Sequence, residues 1–458
     1  MSAEHFDLLV LGSGSAARDG AGRARRLYGV RVALIESTRW GGSCPNVACR
    51  PTKAYLVAAD LIHDVNVLAP GMGIEVSAAR PDLSRIRDWK RSLQRPQESW
   101  VQVLRDAGHE VVSGAASFVD PRTVQVGDRE LSGDRILIAT GSRTAVPAIP
   151  GIGDIDWIDH VSALELTEVP ESVIVLGGGP VGLEFGQIFA RFGSRVTIVN
   201  GGAHMAARSD REAAEELQRA LEDEGIELVH ESRPSAVRPG QDGTVVLTLD
   251  PSGRELRAAK LLLASGRAVN VDELNLVAAG VDYTARAIVV DEYLRTSAEG
   301  IWAAGDVTGI QFTPIAQYQA RIAIDDMFAV ARPADYDHLP TAIFTDPELA
   351  GVGLTQGEAE AKGYGVDAVV HPLKNVTRAQ FIGAKHGLFK VVFDQDSRRA
   401  LGVHVVSRGA SDIVQGLALA LKLGATVDDL ALAHHAYPTY GEGVKAAAEQ
   451  ALVVVGAR

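Results

Sequence analysis

Residues 6–17 read FDLLVLGSGSAA, an apolar run that passes directly into a Gly-x-Gly-x-x-Ala turn. The apolar run predicts a strand, and a helical stretch and a second apolar run follow it. In such a turn Gly12 allows the tight bend, Gly14 lets backbone amides approach a pyrophosphate, and the small Ala17 lets helix and strand pack closely. Glu36 ends the second apolar run, 24 residues after Gly12, where an acid can bind ribose hydroxyls. The stretch therefore predicts a βαβ unit that binds a dinucleotide.

The same design recurs in the middle of the chain. Residues 173–182 read VIVLGGGPVG, so Gly177, Gly179 and Gly182 take the positions of a second glycine-rich turn. The closing apolar run ends before Asn200, 23 residues after Gly177. One such motif is weak evidence, and the glycines could serve only as turn residues. Two motifs between strand and helix, at nearly equal spacing, favour two dinucleotide sites.

Further apolar runs predict the strand at which the chain leaves each dinucleotide-binding domain. Residues 136–141 read ILIATG and residues 261–266 read LLLASG, which places Thr140, Gly141 and Gly266 at the ends of two similar strands. Asp306 ends another short run, where a carboxylate can accept a hydrogen bond from a cofactor hydroxyl. From about Leu339 strands are followed by helices, which indicates an α+β domain. We therefore predict an α/β protein with two Rossmann-like dinucleotide-binding domains and a C-terminal α+β domain.

Composition excludes several partners and compartments. The 458 residues carry a formal net charge of −13, which disfavours nucleic acid as a partner. No stretch approaches the ~20 apolar residues that span a bilayer, so we expect no membrane partner. The first residues are acidic where a signal peptide is basic, and two cysteines cannot form a secreted disulfide framework. We expect a cytoplasmic protein.

The two cysteines, Cys44 and Cys49, are five residues apart. In an ideal helix their Cα atoms would be roughly 8–9 Å apart, whereas a disulfide needs about 4.4–6.8 Å. A bond therefore requires a distorted turn, which neighbouring glycines and prolines make plausible. A zinc site and two structural thiols are alternatives, but zinc lacks further cysteine ligands and we expect no bound metal. A redox pair is favoured because the cysteines follow a dinucleotide motif.

These motifs, in this order, resemble those of the class I pyridine nucleotide-disulfide oxidoreductases, in particular the mercuric reductase-like and dihydrolipoamide dehydrogenase-like flavoproteins. The residues that carry the resemblance are 12–17, 36, 41–53, 139–141, 177–184, 303–306, 344–348 and 438–439. The resemblance implies a discontinuous FAD-binding domain from residues 1–145 and 271–338, an NAD(P)-binding domain from 146–270 and a dimerisation domain from 339–458. It also implies a homodimer with shared active sites.

The resemblance assigns roles to individual residues. Cys49 would face the flavin, and Cys44 would attack the acceptor. Lys53 would lie near the flavin and pair with Glu184, although each could be an ordinary helix residue, the acid being favoured by the helix dipole. The remaining residues implied to bind FAD are Gly42, Ser43, Asp306 and the backbone around Ala116.

The C-terminal motif departs from the disulfide-reducing members of the family. Tyr437 stands before Pro438, where those members carry the histidine that moves protons, although Glu442 keeps the orienting position. A tyrosine hydroxyl is a poor proton shuttle at neutral pH. His435 could substitute, although a capping or interface role is the alternative. The tyrosine resembles mercuric reductases, but residues 453–458 lack the C-terminal cysteine pair of those enzymes, so we expect weak reduction of mercury.

The choice of nicotinamide cofactor depends on Asn200. NAD-preferring members have an acid there, and NADP-preferring members have arginines just beyond. Because the repelling acid is absent and His204 and Arg208 follow, the sequence favours NADPH. Our leading hypothesis is electron transfer from NAD(P)H through FAD and the Cys44–Cys49 pair to a disulfide, a thiol-bound metal or another small molecule. The alternatives are a dihydrolipoamide dehydrogenase-like activity and a non-catalytic, redox-responsive FAD subunit.

Overall fold

The computed structural model describes residues 3–456. The chain forms two compact units. The first consists of Met1–Thr52, Asp88–Ala145 and Gly266–Asp335, and the second of Lys53–Arg87, Val146–Ser265 and Tyr336–Arg458. The domain boundaries given above stay a prediction.

The first unit is built on a seven-stranded sheet. Four strands are parallel, in the order Glu110–Ser113, Val32–Glu36, Glu4–Leu11 and Arg129–Ile138. The antiparallel strands Thr123–Val126 and Ala116–Asp120 extend the sheet, and Ile301–Ala303 pairs in parallel with Arg129–Ile138. Ser142–Thr144 and Arg267–Val269 form a separate antiparallel pair. The central strands read as continuous apolar runs because both of their faces are buried.

Small residues bring two helices of the first unit close to its sheet. Helix Ser15–Tyr28 buries Ala16, Ala17, Gly20, Ala21 and Ala24, and it packs beside helix Thr313–Phe328. A side chain on Gly20 would meet Leu137 of the sheet, so glycine permits the close approach. The other helices of this unit are Ser43–Asn46, Gln97–Asp106, Leu276–Ala279 and the 3₁₀ turn Asp306–Thr308. Helix Cys49–His63 passes along the chain from the first unit into the second, and helix Leu83–Ser92 passes from the second unit back into the first.

The second unit contains a parallel sheet and two antiparallel sheets. The parallel strands follow the order Glu227–Val229, Arg195–Val199, Ser172–Leu176 and Lys260–Leu263. A three-stranded sheet consists of Arg233–Pro239, Val245–Asp250 and Glu255–Ala258. The five-stranded sheet follows the order Thr341–Ile343, Glu348–Gly353, Ala400–Ser407, Leu388–Asp394 and Val366–Pro372. Two parallel sheets, one in each unit, and a C-terminal α+β portion confirm the predicted fold class.

Amphipathic helices cover these sheets. The longer ones are Pro180–Phe192, Arg211–Asp223, Ala410–Lys422 and Glu442–Gly456. The shorter helical segments are Asp64–Leu68, Ala69–Gly71, Ile152–Asp154, His160–Ala163, Gln356–Ala361, Leu373–Asn375, Thr377–Gln380 and Val427–Leu432. Helix Glu442–Gly456 starts at a close contact, because a side chain on Gly443 would collide with the Phe389 ring.

No helix within residues 3–456 has the length and apolar character needed to cross a membrane. Over the same range, no three or more histidine, cysteine, aspartate or glutamate side chains are grouped so that they could hold a metal ion.

Lys390 gives a test of how the second unit is held together. Its Nζ lies 3.1 Å from both carboxylate oxygens of Asp210, and the side chains of both residues are 2% exposed. We expect Lys390→Met to lower the free energy of unfolding by about 3–5 kcal/mol, because it leaves a buried carboxylate without its main cation. The measurement is urea unfolding followed by fluorescence.

The matched control is Arg195→Met. Arg195 pairs with Glu171 at 2.8 Å, but their side chains are 77% and 83% exposed. This change should cost less than about 1 kcal/mol. Equal effects of the two substitutions would contradict the stabilising role of the buried pair.

Candidate active site

The first glycine-rich turn has the close contacts that the sequence predicts. Gly12 has a φ of +111°, and a side chain there would collide with the carbonyl oxygen of Ala139. Gly14 caps helix Ser15–Tyr28 with extended backbone, and Ala17 is fully buried behind it. The amides at this helix start are therefore unobstructed, as binding of a pyrophosphate requires.

Glu36 is held in place at the end of its strand. Its Oε2 accepts a hydrogen bond from Ser13 Oγ at 2.7 Å, and its Oε1 accepts one from the Thr38 backbone at 2.9 Å. Ser13 Oγ also accepts a hydrogen bond from the Gly41 amide at 3.0 Å. One serine within the turn thus connects the acidic residue to the segment that precedes the cysteines.

That segment packs directly on the glycine-rich turn. Gly42 has a φ of +74°, and a side chain there would collide with the Cα atom of Gly14. Gly41 has a φ of +92°, and its added Cβ would lie 2.6 Å from the Trp100 ring. Ser43, which follows Gly42, is exposed and is the first residue of helix Ser43–Asn46. Only glycine fits between the cysteine segment and the dinucleotide turn.

The helix is interrupted between the two cysteines. Cys44 lies in the short helix Ser43–Asn46, Val47 leaves helical geometry with φ −140° and ψ −2°, and a new helix begins at Cys49. This is the departure from an ideal helix that a bond between the two sulfurs requires. The sulfurs are not joined in this structure; Cys44 is half-buried and Cys49 is exposed.

Side chains that sequence reasoning missed fix this interruption. Asn46, between the cysteines, donates hydrogen bonds from Nδ2 to the carbonyls of Trp40 at 2.9 Å and Gly42 at 2.7 Å. Cys49 Sγ lies 3.6 Å from the hydroxyl of Thr313, which begins a helix. An asparagine at this position could have indicated the turn, because the turn is local in the sequence. The Thr313 contact joins residues 264 apart, so no local sequence pattern indicates it.

Arg18 is a third residue near the cysteines that the sequence did not indicate. Burial lowers the pKa of Arg18, and the charge of Cys44 opposes that shift. Its guanidinium lies 4.6 Å from the Trp100 ring centroid, and its buried Nε has no hydrogen-bond partner among residues 3–456. A buried cationic donor without a partner suits an anionic ligand group.

Asp306 lies in a small polar cluster of the first unit. Its Oδ2 accepts a hydrogen bond from Ser142 Oγ at 2.5 Å, and Arg267 Nε donates to the same Ser142 oxygen at 2.7 Å. Thr140 and Asn270 tie the strand ends together, since Thr140 Oγ1 donates to the Asn270 carbonyl at 2.7 Å.

The remaining first-unit candidates are Gly141, Gly266 and Ala116. Gly141 has a φ of +72° and Gly266 a φ of +150°. Ala116 is buried at the start of its strand and pairs with Val126.

In the second unit Lys53 pairs with Glu184. Lys53 Nζ lies 2.9 and 2.8 Å from the two carboxylate oxygens, and Glu184 Oε1 also accepts a hydrogen bond from the Phe344 amide at 3.1 Å. The ammonium sits 4.3 Å from the centroid of the Phe344 ring. Glu184 is 5% exposed, so it is a buried partner and not a solvated helix acid.

The second glycine-rich turn repeats the geometry of the first. Gly177 has a φ of +121°, and a side chain there would collide with the Ala264 carbonyl oxygen. Gly179 caps helix Pro180–Phe192, and a side chain on Gly182 would collide with the Gly177 carbonyl oxygen. This helix start therefore also presents unobstructed amides.

A cation that the sequence did not indicate lies beside the loop that follows Asn200. Asn200 Nδ2 donates to the carbonyls of Gly202 at 3.0 Å and His204 at 2.8 Å, which turns the side chain into its own loop. Arg208 is exposed further along. Arg233 lies beside the start of this loop, since a side chain on Gly201 would come within 3.2 Å of the Arg233 Nε atom.

The C-terminal candidates lie at the start of helix Glu442–Gly456. Tyr437 is 72% exposed. Glu442 Oε2 accepts a hydrogen bond from the Thr439 amide at 2.8 Å. Partial burial and the charge of Lys445 lower the pKa of His435, whereas Glu442 opposes the shift. Burial and the Lys445 charge both favour the neutral form of His435.

Comparison with known proteins places this architecture in a family. Residues 6–320 match the pyridine nucleotide-disulphide oxidoreductase family, and residues 339–448 match the dimerisation domain of that family. The chain belongs to the pyridine nucleotide-disulphide oxidoreductases and is a flavoprotein disulfide oxidoreductase. The family depends on FAD and uses NAD(P)H.

The individual relatives are named for different activities. The chain is 36% identical over 451 residues to a mercuric reductase of Lysinibacillus sphaericus, covering 97% of this chain and 82% of the relative. It is 35% identical over 457 residues to a dihydrolipoyl dehydrogenase of Thermus scotoductus, covering 97% of each. Among solved structures, the Cu(II) complex of the HOCl-induced flavoprotein disulfide reductase RclA from Escherichia coli has a TM-score of 0.88 and 28% identity, covering 98% of this chain and 100% of that one.

Gly42→Ala should abolish flavin retention. The added methyl group would meet Gly14 and displace the first glycine-rich turn, in addition to straining a residue with positive φ. The measurement is the ratio of flavin to protein absorbance after purification.

Gly29→Ala controls for backbone strain alone. Gly29 has a φ of +68°, but a Cβ there has no atom within 4 Å. This variant should keep its flavin. Flavin retained by both variants would contradict the importance of the Gly42 contact.

Proposed function

We propose that this chain is an FAD-dependent NAD(P)H oxidoreductase that delivers two electrons through Cys44 and Cys49 to a small thiophilic acceptor. The single observation that carries the proposal is the contact of Gly42 with Gly14. It packs the two-cysteine segment against a dinucleotide turn of the same unit, so a redox pair and a cofactor share one site.

The described residues fit FAD. The Gly12 and Gly42 positions have no room for a side chain, and Arg18 offers a buried cationic donor. Gly14 and Ser43 would contact the pyrophosphate side, Glu36 the ribose, the Ala116 backbone the adenine, and Asp306 the ribityl–phosphate region. Bound FAD would supply a two-electron centre that accepts a hydride from NAD(P)H.

The side chains of the redox centre have distinct tasks. Cys49 begins its helix, where the helix dipole favours a thiolate, and it would face the bound cofactor. Cys44 attacks or binds the acceptor, and joining the two thiolates as a disulfide releases two electrons to it. Lys53, held by Glu184, would supply a positive charge to the cofactor.

A thiolate-bound soft metal ion is the acceptor we favour. Tyr437 replaces a proton-moving histidine, and a metal ion that accepts electrons from thiolates needs no proton shuttle. A mercuric reductase among the relatives and the Cu(II) complex of the E. coli protein support this class. A small disulfide is the second candidate, because His435, whose pKa is lowered by burial and by Lys445, could accept a proton beside Glu442.

We also propose a homodimer that shares its active sites and works in the cytoplasm, where NAD(P)H is available. Exposed apolar side chains in the C-terminal portion support self-association. Leu419, Leu423, Leu432 and Val453 are between 62% and 78% exposed. Tyr437 and Glu442 would then serve the cysteines of the partner subunit.

The redox role is tested by anaerobic reduction. In the wild-type protein, two-electron reduction should produce a thiolate–flavin charge-transfer band. Cys49→Ser should remove the band, whereas Cys44→Ser should keep a thiolate near the flavin and yet lower acceptor turnover by at least about a hundredfold.

The acceptor is identified by comparing turnover with Hg(II), Cu(II), lipoamide and glutathione disulfide. A wild-type protein without the charge-transfer band would refute the redox-pair assignment. Faster turnover with a disulfide than with either metal would refute the favoured acceptor.

For the nicotinamide we propose a preference for NADPH, with Arg233 and Arg208 as contacts for its 2′-phosphate. Arg233→Gln should lower kcat/KM for NADPH about tenfold and leave NADH unchanged, because only NADPH carries that phosphate. The control is Arg238→Gln, since Arg238 lies in the same strand but pairs with Glu255. Equal losses with both cofactors would count against the assignment.

A further inference from the structure

The helix that begins at the second glycine-rich turn buries polar side chains along one face. Glu184, Gln187 and Arg191 are three and four residues apart, so they lie on the same side of helix Pro180–Phe192. Glu184 is 5% and Gln187 0% exposed, and the Arg191 side chain is 3% exposed. Only Glu184 has a role in the proposed function.

Two ion pairs join this helix to helix Cys49–His63. Lys53 binds Glu184 at 2.8 Å, and Asp60 binds Arg191 at 2.6 Å. The interval is seven residues on both helices, so they run in the same direction with the pairs two turns apart. Each helix carries one cation and one anion at the paired positions. If one helix were shifted by two turns along the other, Lys53 would lie opposite Arg191. The Arg191 pair therefore fixes the register in which Lys53 meets Glu184.

The same face also binds the segment that follows strand Thr341–Ile343. Gln187 exchanges two hydrogen bonds with the Asp346 backbone, at 2.7 and 2.8 Å. Arg191 donates to the Asp346 carbonyl at 3.1 Å and to its carboxylate at 3.2 Å. Two residues earlier, Phe344 contacts both Glu184 and Lys53. Arg191 thus also anchors the segment that encloses the Lys53–Glu184 pair.

Further charges close the arrangement into what we call the arginine network, made of Asp60, Asp64, Arg191, Glu224, Asp346 and Arg408. Arg408 binds Asp346 at 2.7 Å and Asp64 at 2.5 Å, and Arg191 binds Glu224 at 2.6 Å. Asp60 and Asp64 are one turn apart in the chain that carries Lys53. Burial raises the pKa of Asp60 to about 7, although Arg191 opposes the shift. Two arginines serve four carboxylates, so removing one arginine leaves buried charges unpaired.

We propose that Arg191 is a positioning residue that acts through Lys53, because it holds the Lys53 ammonium in place against Glu184 and Phe344. The inference rests on the proposed role of Lys53. Its geometric basis is the equal spacing of the two ion pairs together with the shared contacts to the 344–346 segment. A role in stability alone would not act through Lys53.

A double-mutant cycle on the FAD-loaded protein separates these roles. The variants are Arg191→Met, Lys53→Met and the double variant, and the readouts are the flavin midpoint potential and the charge-transfer absorbance after two-electron reduction. Arg191→Met should lower the charge-transfer absorbance about twofold or more and shift the potential, and it should have no further effect when Lys53 is already methionine.

Asp60→Asn provides a second variant that removes the same pair from its more exposed side. It should change both readouts in the same direction by a smaller amount, even where Arg191→Met fails to fold. Arg191→Lys should restore part of the signal, because it keeps the charge without the bidentate fork. Lys390→Met is the control for a buried cation elsewhere, and it should lower stability without moving either readout.

The outcomes distinguish a failure of the role assigned to Arg191 from a failure of the role assigned to Lys53. Arg191→Met and Asp60→Asn variants with unchanged potential and absorbance would overturn the positioning role. Effects of Arg191→Met that simply add to those of Lys53→Met would also overturn it. If Lys53→Met itself changes neither readout, the proposed role of Lys53 fails and this inference fails with it.

Discussion

A polar helix face inside a protein can pack in only one way, and the second unit depends on that constraint. Helix Pro180–Phe192 has apolar neighbours for Leu183, Phe185 and Ile188 but directs Glu184 and Arg191 to charged partners. Apolar contacts tolerate small slips, whereas a buried charge that loses its partner is costly. The ionic pairs therefore add geometric specificity to an interface that hydrophobic burial already stabilises.

The first unit reaches similar specificity by the opposite means, the absence of side chains. Gly12, Gly14 and Gly42 bring three backbone segments into contact, and Gly41 lets Trp100 cover them. Close packing of backbone leaves amides near a helix start exposed to a ligand, which side chains would otherwise screen. Glycine is intrinsically flexible, so these positions depend on neighbours such as Ser13 and Asn46, whose hydrogen bonds hold the turn.

Sequence reasoning succeeded where spacing along the chain determines structure. The two glycine-rich turns and the distorted cysteine segment are local, and the structure has both. The Lys53–Glu184 pair was expected only from family resemblance, because its partners are 131 residues apart. Arg191 near a helix end looks like a solvated cation, and Arg408 meets Asp64 across 344 residues. Arg233 was missed for the same reason, since its approach to Gly201 depends on how two strands are placed.

The break in the helix at Val47 has a mechanical consequence. Making or breaking a sulfur–sulfur bond changes how far apart two side chains must be, and a continuous helix would transmit that change along its axis. Here Val47 and Ala48, which lie outside both helices, separate the short helix that contains Cys44 from helix Cys49–His63. If the two cysteines form the proposed redox pair, rotation about those few bonds would absorb the displacement, and the charged anchor points further along the helix would stay still.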